Sequence, residues 1–281
     1  MKLFYTSLKL SFLFFLFFSC KKEEVDITLK LDYLSSECKL SSFTYNSYNN
    51  TSPDIRLSTK YNSENLLTDF IGTQSAIITS FPNRRLQYEN GQLKRIIIPS
   101  EDYPELSPVP VKNAIAAEYE YGKYGVEKIH HYGQYGERIY ETEYFEFKYN
   151  NSVKPVGMDY YVSISFTEDK FILGLKSTFE YDSNGNLSKE LIQNLGGLGG
   201  SHDSITKMCF YDDKINTVKQ LSYIYFENES PACVFSTNNL VRVKQISTRG
   251  DYESNYKLEY DSKNNAIQFP YRFSDAVWDC Q

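Results

Sequence analysis

Histidine, tryptophan and closely spaced cysteines are scarce in this chain. Three His and one Trp occur among 281 residues, and no Cys-x-x-Cys pair is present. Zinc centres need several His, Cys or acidic ligands at tight spacing. His130, His131 and His202, with scattered cysteines, do not supply that pattern, so no metal and no cofactor is expected. Basic runs are also missing, and the formal charge is −6. A mildly acidic chain without a basic block excludes nucleic acid as a partner. A Gly-x-Ser-x-Gly elbow is absent, which removes the nucleophile arrangement of α/β-hydrolases. Beyond the N-terminal leader no apolar stripe of helical period lasts three turns. The best stretch, 112–120 (KNAIAAEYE), is short.

Aromatics are what the chain has in quantity. Tyr numbers 25 and Phe 19, and together with Trp they make up 16% of the residues. Such content is incompatible with a disordered chain. Tyr carries an apolar ring and a polar end, which suits half-buried strands.

The N-terminus has the build of an export signal. Lys2 and Lys9 are positive, Leu10 to Phe18 is apolar apart from Ser11, and Ser19-Cys20 follows. The order is positive start, apolar middle, small residue before the cut. The apolar run is shorter than the roughly 20 residues of a membrane span. The organisation expected is a signal peptide over 1–19, a tether over 20–30 (beginning CKKEE) and one repetitive β domain over 31–281. Cys20 at the cut resembles the lipobox cysteine of bacterial lipoproteins, which is acylated and becomes the mature N-terminus. Together with Lys21-Lys22-Glu23-Glu24 it resembles surface-exported lipoproteins of Bacteroidetes. That resemblance implies lipidation with palmitate-type chains at Cys20. It also implies attachment to the outer membrane, facing the cell surface or the periplasm.

Four further cysteines remain: Cys38, Cys209, Cys233 and Cys280. An exported chain can keep disulfides, and four cysteines allow three connectivities. Cys209 with Cys233 is the favoured pair, on the expectation that they lie on adjacent strands. Free buried thiols are the alternative.

A repeated unit runs through the chain: an alternating strand ending in Tyr, a polar turn, and a second strand. Its anchors are Tyr61, Tyr88, Tyr121, Tyr149, Tyr181, Tyr211 and Tyr260. Five of the six spacings lie near about 30 residues, which marks a supersecondary repeat. The last gap is wider and is read as hiding an eroded unit near Asn238-Asn239-Leu240. Ser177 to Tyr181 alternates in period 2, and Asp182-Ser-Asn-Gly-Asn supplies turn residues, with Gly185 as the left-handed one. The fold expected is all-β: an antiparallel meander of about seven hairpins in an extended sheet that curls toward a barrel. Pro99 to Pro110 and the Gly-rich 195–204 are read as loops.

The units FEYDSNGNL (179–187) and LEYDSKNNAI (258–267) resemble YD repeats of the RHS type. With the lipoprotein N-terminus they resemble Bacteroidetes lipoproteins of the DUF4595 type, described as porin-like in fold. The resemblance implies a curved antiparallel sheet and transfers no catalytic residues.

Chemistry-bearing residues are few. Asp182, Asn184 and Asn186 fit a hairpin turn better than a calcium loop, because the Gly and Glu such a loop needs are replaced by Leu187 and Gln193. Ser201-His202-Asp203 are the residue types of a triad, but neighbours in sequence cannot converge. Asp203-Ser204-Ile205 resembles a short O-glycosylation motif of Bacteroidetes exported proteins. His130 and His131 would face opposite sides of a strand. No enzyme activity is expected. Tyr119, Tyr121, Tyr124, Tyr132 and Tyr135, with Tyr140 and Tyr144, crowd one region. They are the candidate ligand-binding rings, for a glycan or an envelope protein. Cross-strand pairing within the sheet is the competing role. The function expected is a membrane-anchored, non-catalytic binding or scaffold module. A secreted polysaccharide hydrolase and a purely structural envelope component are the alternatives.

Overall fold

The computed structural model describes residues 38–46, 55–72, 83–99, 113–135, 137–165, 170–196, 203–217, 219–224, 226, 230–269 and 273–280. The leader, Cys20 and the tether lie outside them, as do most of the proline-rich stretch, residues 197–200 and His202.

Among the described residues seventeen strands occur in chain order. The first nine are β1 (Cys38–Tyr45), β2 (Ile55–Tyr61), β3 (Leu67–Gly72), β4 (Arg84–Glu89), β5 (Gln92–Ile97), β6 (Ile115–Gly122), β7 (Gly125–Tyr135), β8 (Arg138–Tyr149) and β9 (Pro155–Ser163). The rest are β10 (Phe171–Tyr181), β11 (Leu187–Asn194), β12 (Ser204–Ile215), β13 (Asn238–Ser247), β14 (Tyr252–Asn255), β15 (Glu259–Tyr260), β16 (Ala266–Gln268) and β17 (Phe273–Cys280). Strands β1 to β14 form an antiparallel meander, and β17 returns to pair with β1, giving a 15-stranded sheet. Strands β15 and β16 form a separate pair. The fold is all-β as expected, and the sheet does not close into a barrel. Residues 112–120, the best helical candidate by sequence, contribute to β6 instead. Pairing with β5 and β7 overrides their Ala content.

All seven tyrosine anchors fall near the ends of first strands: β2, β4, β6, β8, β10, β12 and β15. The turns after them are built by local chemistry. Asp182 Oδ1 accepts from the amides of Asn184 (2.9 Å) and Asn186 (2.8 Å). Asn62 makes the same two bonds in its turn and Asp261 in its own. The left-handed residue is Gly185 in one turn (φ 82°), Asn65 in another (φ 63°) and Asn264 in the third (φ 63°). These are residue types that tolerate that region. Between β4 and β5, Asn90-Gly91 has positive φ at both residues (52° and 76°), as a tight two-residue hairpin requires.

The wide gap before Tyr260 holds an insertion rather than an eroded unit. Between β12 and β13 stand two short helices, α1 (Lys219–Ile224) and α2 (Pro231–Phe235). Asn238-Asn239, read as a worn turn, opens β13. Ser230 caps α2 by accepting from the Ala232 amide at 3.3 Å, and Pro231 stands at the first turn, where its missing N–H costs nothing. Leu221, Ile224, Phe226, Ala232, Cys233 and Val234 are buried. Phe226 packs edge-on against Phe145 (4.9 Å) and Phe147 (5.5 Å), and Phe235 against Phe147 (5.5 Å). The insertion therefore packs on the buried face of β8 and β10. Farther along the same face Phe43 sits between Phe70 (5.4 Å) and Phe273 (5.5 Å), which ties β17 to β1 and β3. All of these side chains except the partly buried Phe235 belong to one continuous cluster of buried residues, against which Phe235 packs.

The favoured disulfide is corrected by the structure. The bond joins Cys38 to Cys280, which lie opposite each other on β1 and β17, while Cys209 and Cys233 are free and buried. Cys233 sits in α2, not on a strand next to Cys209, because the insertion carries it off the sheet. Burial pushes the Cys209 thiol up to about 12, so it is an inert core residue.

Candidate functional site

The anchor tyrosines are used by the fold. Tyr61 donates its hydroxyl to the carbonyl of Leu40 at 2.8 Å, and Tyr88 to Leu67 at 2.8 Å. Tyr121 donates to Leu93 (2.8 Å), Tyr149 to Val126 (2.7 Å), Tyr181 to Pro155 (2.9 Å) and Tyr211 to Leu187 (2.7 Å). Leu67, Leu93, Val126, Pro155 and Leu187 each stand at or near the start of the strand that leaves the preceding turn. Tyr88, Tyr121, Tyr149, Tyr181 and Tyr211 thus each staple the turn exit of the hairpin before them, and Tyr61 reaches β1. Tyr260 breaks the pattern and bonds to Asp212 on β12. Burial raises the phenol of Tyr61 to about 12 and pushes those of Tyr121, Tyr149, Tyr181, Tyr211 and Tyr260 up as well.

The structure places the predicted binding rings in different settings. Tyr119 is fully buried and cannot offer its ring to a surface ligand. Its side chain occupies an inward position of β6 between those of Ala117 and Tyr121, so strand alternation decides its fate. Tyr121 is one of the staples. Tyr124 donates to Asn151 Oδ1 (2.7 Å) in the turn of the next hairpin. Tyr132 donates to Glu118 Oε2 at 2.7 Å. Tyr135 pairs by backbone with Arg138, and its side chain lies outside the described residues.

The two adjacent histidines do face opposite sides. His130 points outward and His131 is buried against Phe145 (5.4 Å). Each meets a glutamate of β8: His130 Nδ1 lies 2.6 Å from Glu141 Oε1, and His131 Nδ1 lies 3.1 Å from Glu143 Oε1. Glu141 and Glu143 would share a face in a regular strand. A bulge at the His131/Tyr132 step lets them serve opposite faces. Inside, Glu143 also accepts from Tyr160 at 2.5 Å. Desolvation raises that carboxyl, but the bonds from His131 and Tyr160 win and hold it below its usual range. Outside, Glu118 is opposed in the same way: desolvation raises it, while Tyr132 and Arg95 (2.5 Å) bring it down.

A strip of rings crosses the outward face beside His130. Tyr144 on β8 stacks on Tyr161 of β9 with centroids 4.5 Å apart and planes 13° apart. Phe171 of β10 meets Tyr144 edge-on at 5.1 Å, and His130 lies 5.8 Å from it. Lys128 Nζ stands over the Tyr144 ring at 5.4 Å. The four rings are half-buried. Sequence reasoning named Tyr144 only as part of the crowd and missed Tyr161 and Phe171. These residues carry no turn signal, and their alternation with Phe145 and Tyr160 was the available clue.

No family model matches the chain, and no curated protein matches it. Among solved structures, a porin-like protein from Bacteroides uniformis is similar at 9% identity and a TM-score of 0.35, covering 87% of this chain and 97% of that one. A TcdB2–TccC3 structure is similar at 12% identity and a TM-score of 0.26, covering 76% of this chain and 10% of that one. The Tc holotoxin pore of Photorhabdus luminescens gives 11% and 0.26. The chain thus spans about a tenth of the toxin chains it matches. Likenesses this loose carry no argument about function.

Proposed function

We propose that the chain is an exported, lipid-anchored, non-catalytic binding or scaffold module whose contact surface is the outward face of β7 to β10. The observation that carries this reading is the contrast between two sets of tyrosines. The anchors spend their hydroxyls on neighbouring strands, whereas Tyr144 and Tyr161 use theirs in no hydrogen bond among the described residues. Paired phenols next to Phe171, Lys128 and His130 offer apolar edges and polar ends together, a composition suited to contact surfaces. The ligand class is a glycan or an envelope protein. Cys20 supports the anchor by its place after the apolar leader, and the YD-type repeats support a relationship to DUF4595-like envelope lipoproteins.

The test is a glycan-array screen of the protein and of a Tyr144→Ala/Tyr161→Ala double variant. Binding to a glycan class that the double variant loses supports the sugar version. Failure to bind plant, host and microbial glycans removes it. A photo-crosslinker at position 161 then decides between an envelope protein partner and none.

A further inference from the structure

Beside the ring strip, the outward face holds a charged arrangement centred on His130. His130 on β7 lies between two carboxylates from the strands on either side. Its Nδ1 is hydrogen-bonded to Glu141 Oε1 of β8 at 2.6 Å, and its Nε2, which makes no hydrogen bond among the described residues, is 3.2 Å from Glu120 Oε1 of β6. A neutral imidazole has one N–H and one lone pair. With a carboxylate at each nitrogen, the neutral form always turns one lone pair toward an anion. Only the imidazolium donates to Glu141 and at the same time sets positive charge beside Glu120. The ring is 17% exposed and Glu141 21%, so water screens that contact least, while Glu120, at 55%, holds the more screened side.

Other charges around the ring are already matched. From β6, Glu118 is held by Arg95 of β5 (2.5 Å) and by Tyr132 of β7 (2.7 Å). Lys128 of β7 pairs with Glu146 of β8 at 3.8 Å. Tyr144 of β8 presents its ring, 5.8 Å away. What remains facing His130 is the pair Glu120 and Glu141.

We infer that Glu120, His130 and Glu141 form a pH-operated clasp that fastens β6 and β8 across β7. When His130 is protonated the clasp is closed on both sides. When it loses its proton one side opens and the outward face beside the ring strip loosens. The sign follows from the linkage between charge and folding. The hydrogen bond to Glu141 is the largest influence and raises the imidazole above the ordinary value of about 6.5. A group raised in the folded state stabilises fully below its unfolded value, and that contribution is lost as pH rises through the folded value. The clasp is therefore closed below the ordinary imidazole value and opens as the pH rises through the raised folded one.

NMR titration of the His130 ring in the full-length protein, with amide exchange of β6 to β8 at pH 6 and pH 8.5, tests this. His130 is expected to titrate above an ordinary histidine and to move back toward it in both Glu141→Gln and Glu120→Gln, with the larger move in Glu141→Gln. Amide exchange, corrected for its intrinsic pH dependence, should show stronger protection of the three strands at pH 6 than at pH 8.5. That difference should vanish in His130→Gln. The inference is overturned if His130 titrates at or below the ordinary value, or if the protection difference persists in His130→Gln. Should His130→Gln not fold, the titration in the two milder Glu→Gln variants decides alone, and an unmoved imidazole in both overturns it.

Discussion

Tyr181 reaches across from the end of β10 and donates its hydroxyl to the carbonyl of Pro155 at the start of β9, at 2.9 Å. The bond sits at the seam between two hairpins, where β9 leaves one turn and β10 enters the next. A second contact marks the same seam. Lys154, next to Pro155, bonds to the carbonyl of Gly185 and stands over the Tyr181 ring at 5.2 Å. The device recurs at the other end of the sheet, where Lys39 precedes Leu40, bonds Asn65 Oδ1 at 2.6 Å and stands over the Tyr61 ring at 5.5 Å. The repeat is thus more than a spacing of turns: from Tyr88 to Tyr211 each unit carries the part that locks it to the unit before.

Tyr181→Phe keeps the ring and removes the donor. The Pro155 carbonyl then loses its side-chain partner. A cost of about 1–2 kcal/mol is expected, seen as a lower urea midpoint at an unchanged slope. Tyr144→Phe, on the outward strip, should stay within about 0.5 kcal/mol of the parent. Equal losses in the two variants would mean that the staple contributes nothing of its own.

The Cys38–Cys280 bond spans 242 residues. It joins the first described strand to the last, and Asn265 of the β15–β16 turn donates to Cys38 Sγ at 3.5 Å. Closing so long a loop constrains the unfolded chain by about 5 kcal/mol in the chain-entropy model. Cys280→Ser should lower stability by up to about that amount in urea melts. The bond should survive mild reductant in the folded protein, since Cys38 is buried. A variant as stable as the oxidised parent would show that the β1–β17 pairing holds without the covalent link.

Gly157 lies where β9 and β10 run close together. A Cβ there would stand 2.6 Å from the Ser177 carbonyl oxygen, which belongs to backbone and cannot swing away. Gly157→Ala should cost about 1–3 kcal/mol through forced separation of the two strands. At Gly91 nothing lies within 4 Å of the added atom, and only the positive φ of 76° resists. Gly91→Ala should therefore cost less, about 1 kcal/mol, from the left-handed conformation alone. Thermal melts of the two variants give the order, and the reverse order would contradict the packing argument.

Local features were legible in the sequence and distant ones were not. Asp182, Gly185 and the Asn90-Gly91 pair announce their turns because the chemistry lies within five residues. The anchors' repetition was visible, and their role follows from it in hindsight. A tyrosine that recurs at one place in every unit answers a need of the unit, whereas a ligand-binding ring has no reason to repeat. The return of β17 to β1 could not be read, because nothing near Phe273 names a partner more than two hundred residues away. The helices escaped because six and five residues are too few for a periodic stripe. Of the outward site, the opposed histidines were foreseeable from alternation. The bulge that gives each its own glutamate was not.

Cys20 carries the last prediction, and it concerns where the protein resides. If Cys20 is acylated, the protein should take up a palmitate analogue in cells and partition into detergent on phase separation. Each buried CH₂ contributes about 0.8 kcal/mol, and one chain holds only weakly, so stable attachment needs more than one chain on the same N-terminus. Cys20→Ala removes the thiol and with it every chain that depends on prior modification there. The variant should lose the label and move to the aqueous phase, while the sheet, whose described strands begin at Cys38, melts as before. Retention of the variant in the detergent phase would show that the leader itself or the β domain holds the membrane, and the anchor would then have to be sought elsewhere in the chain.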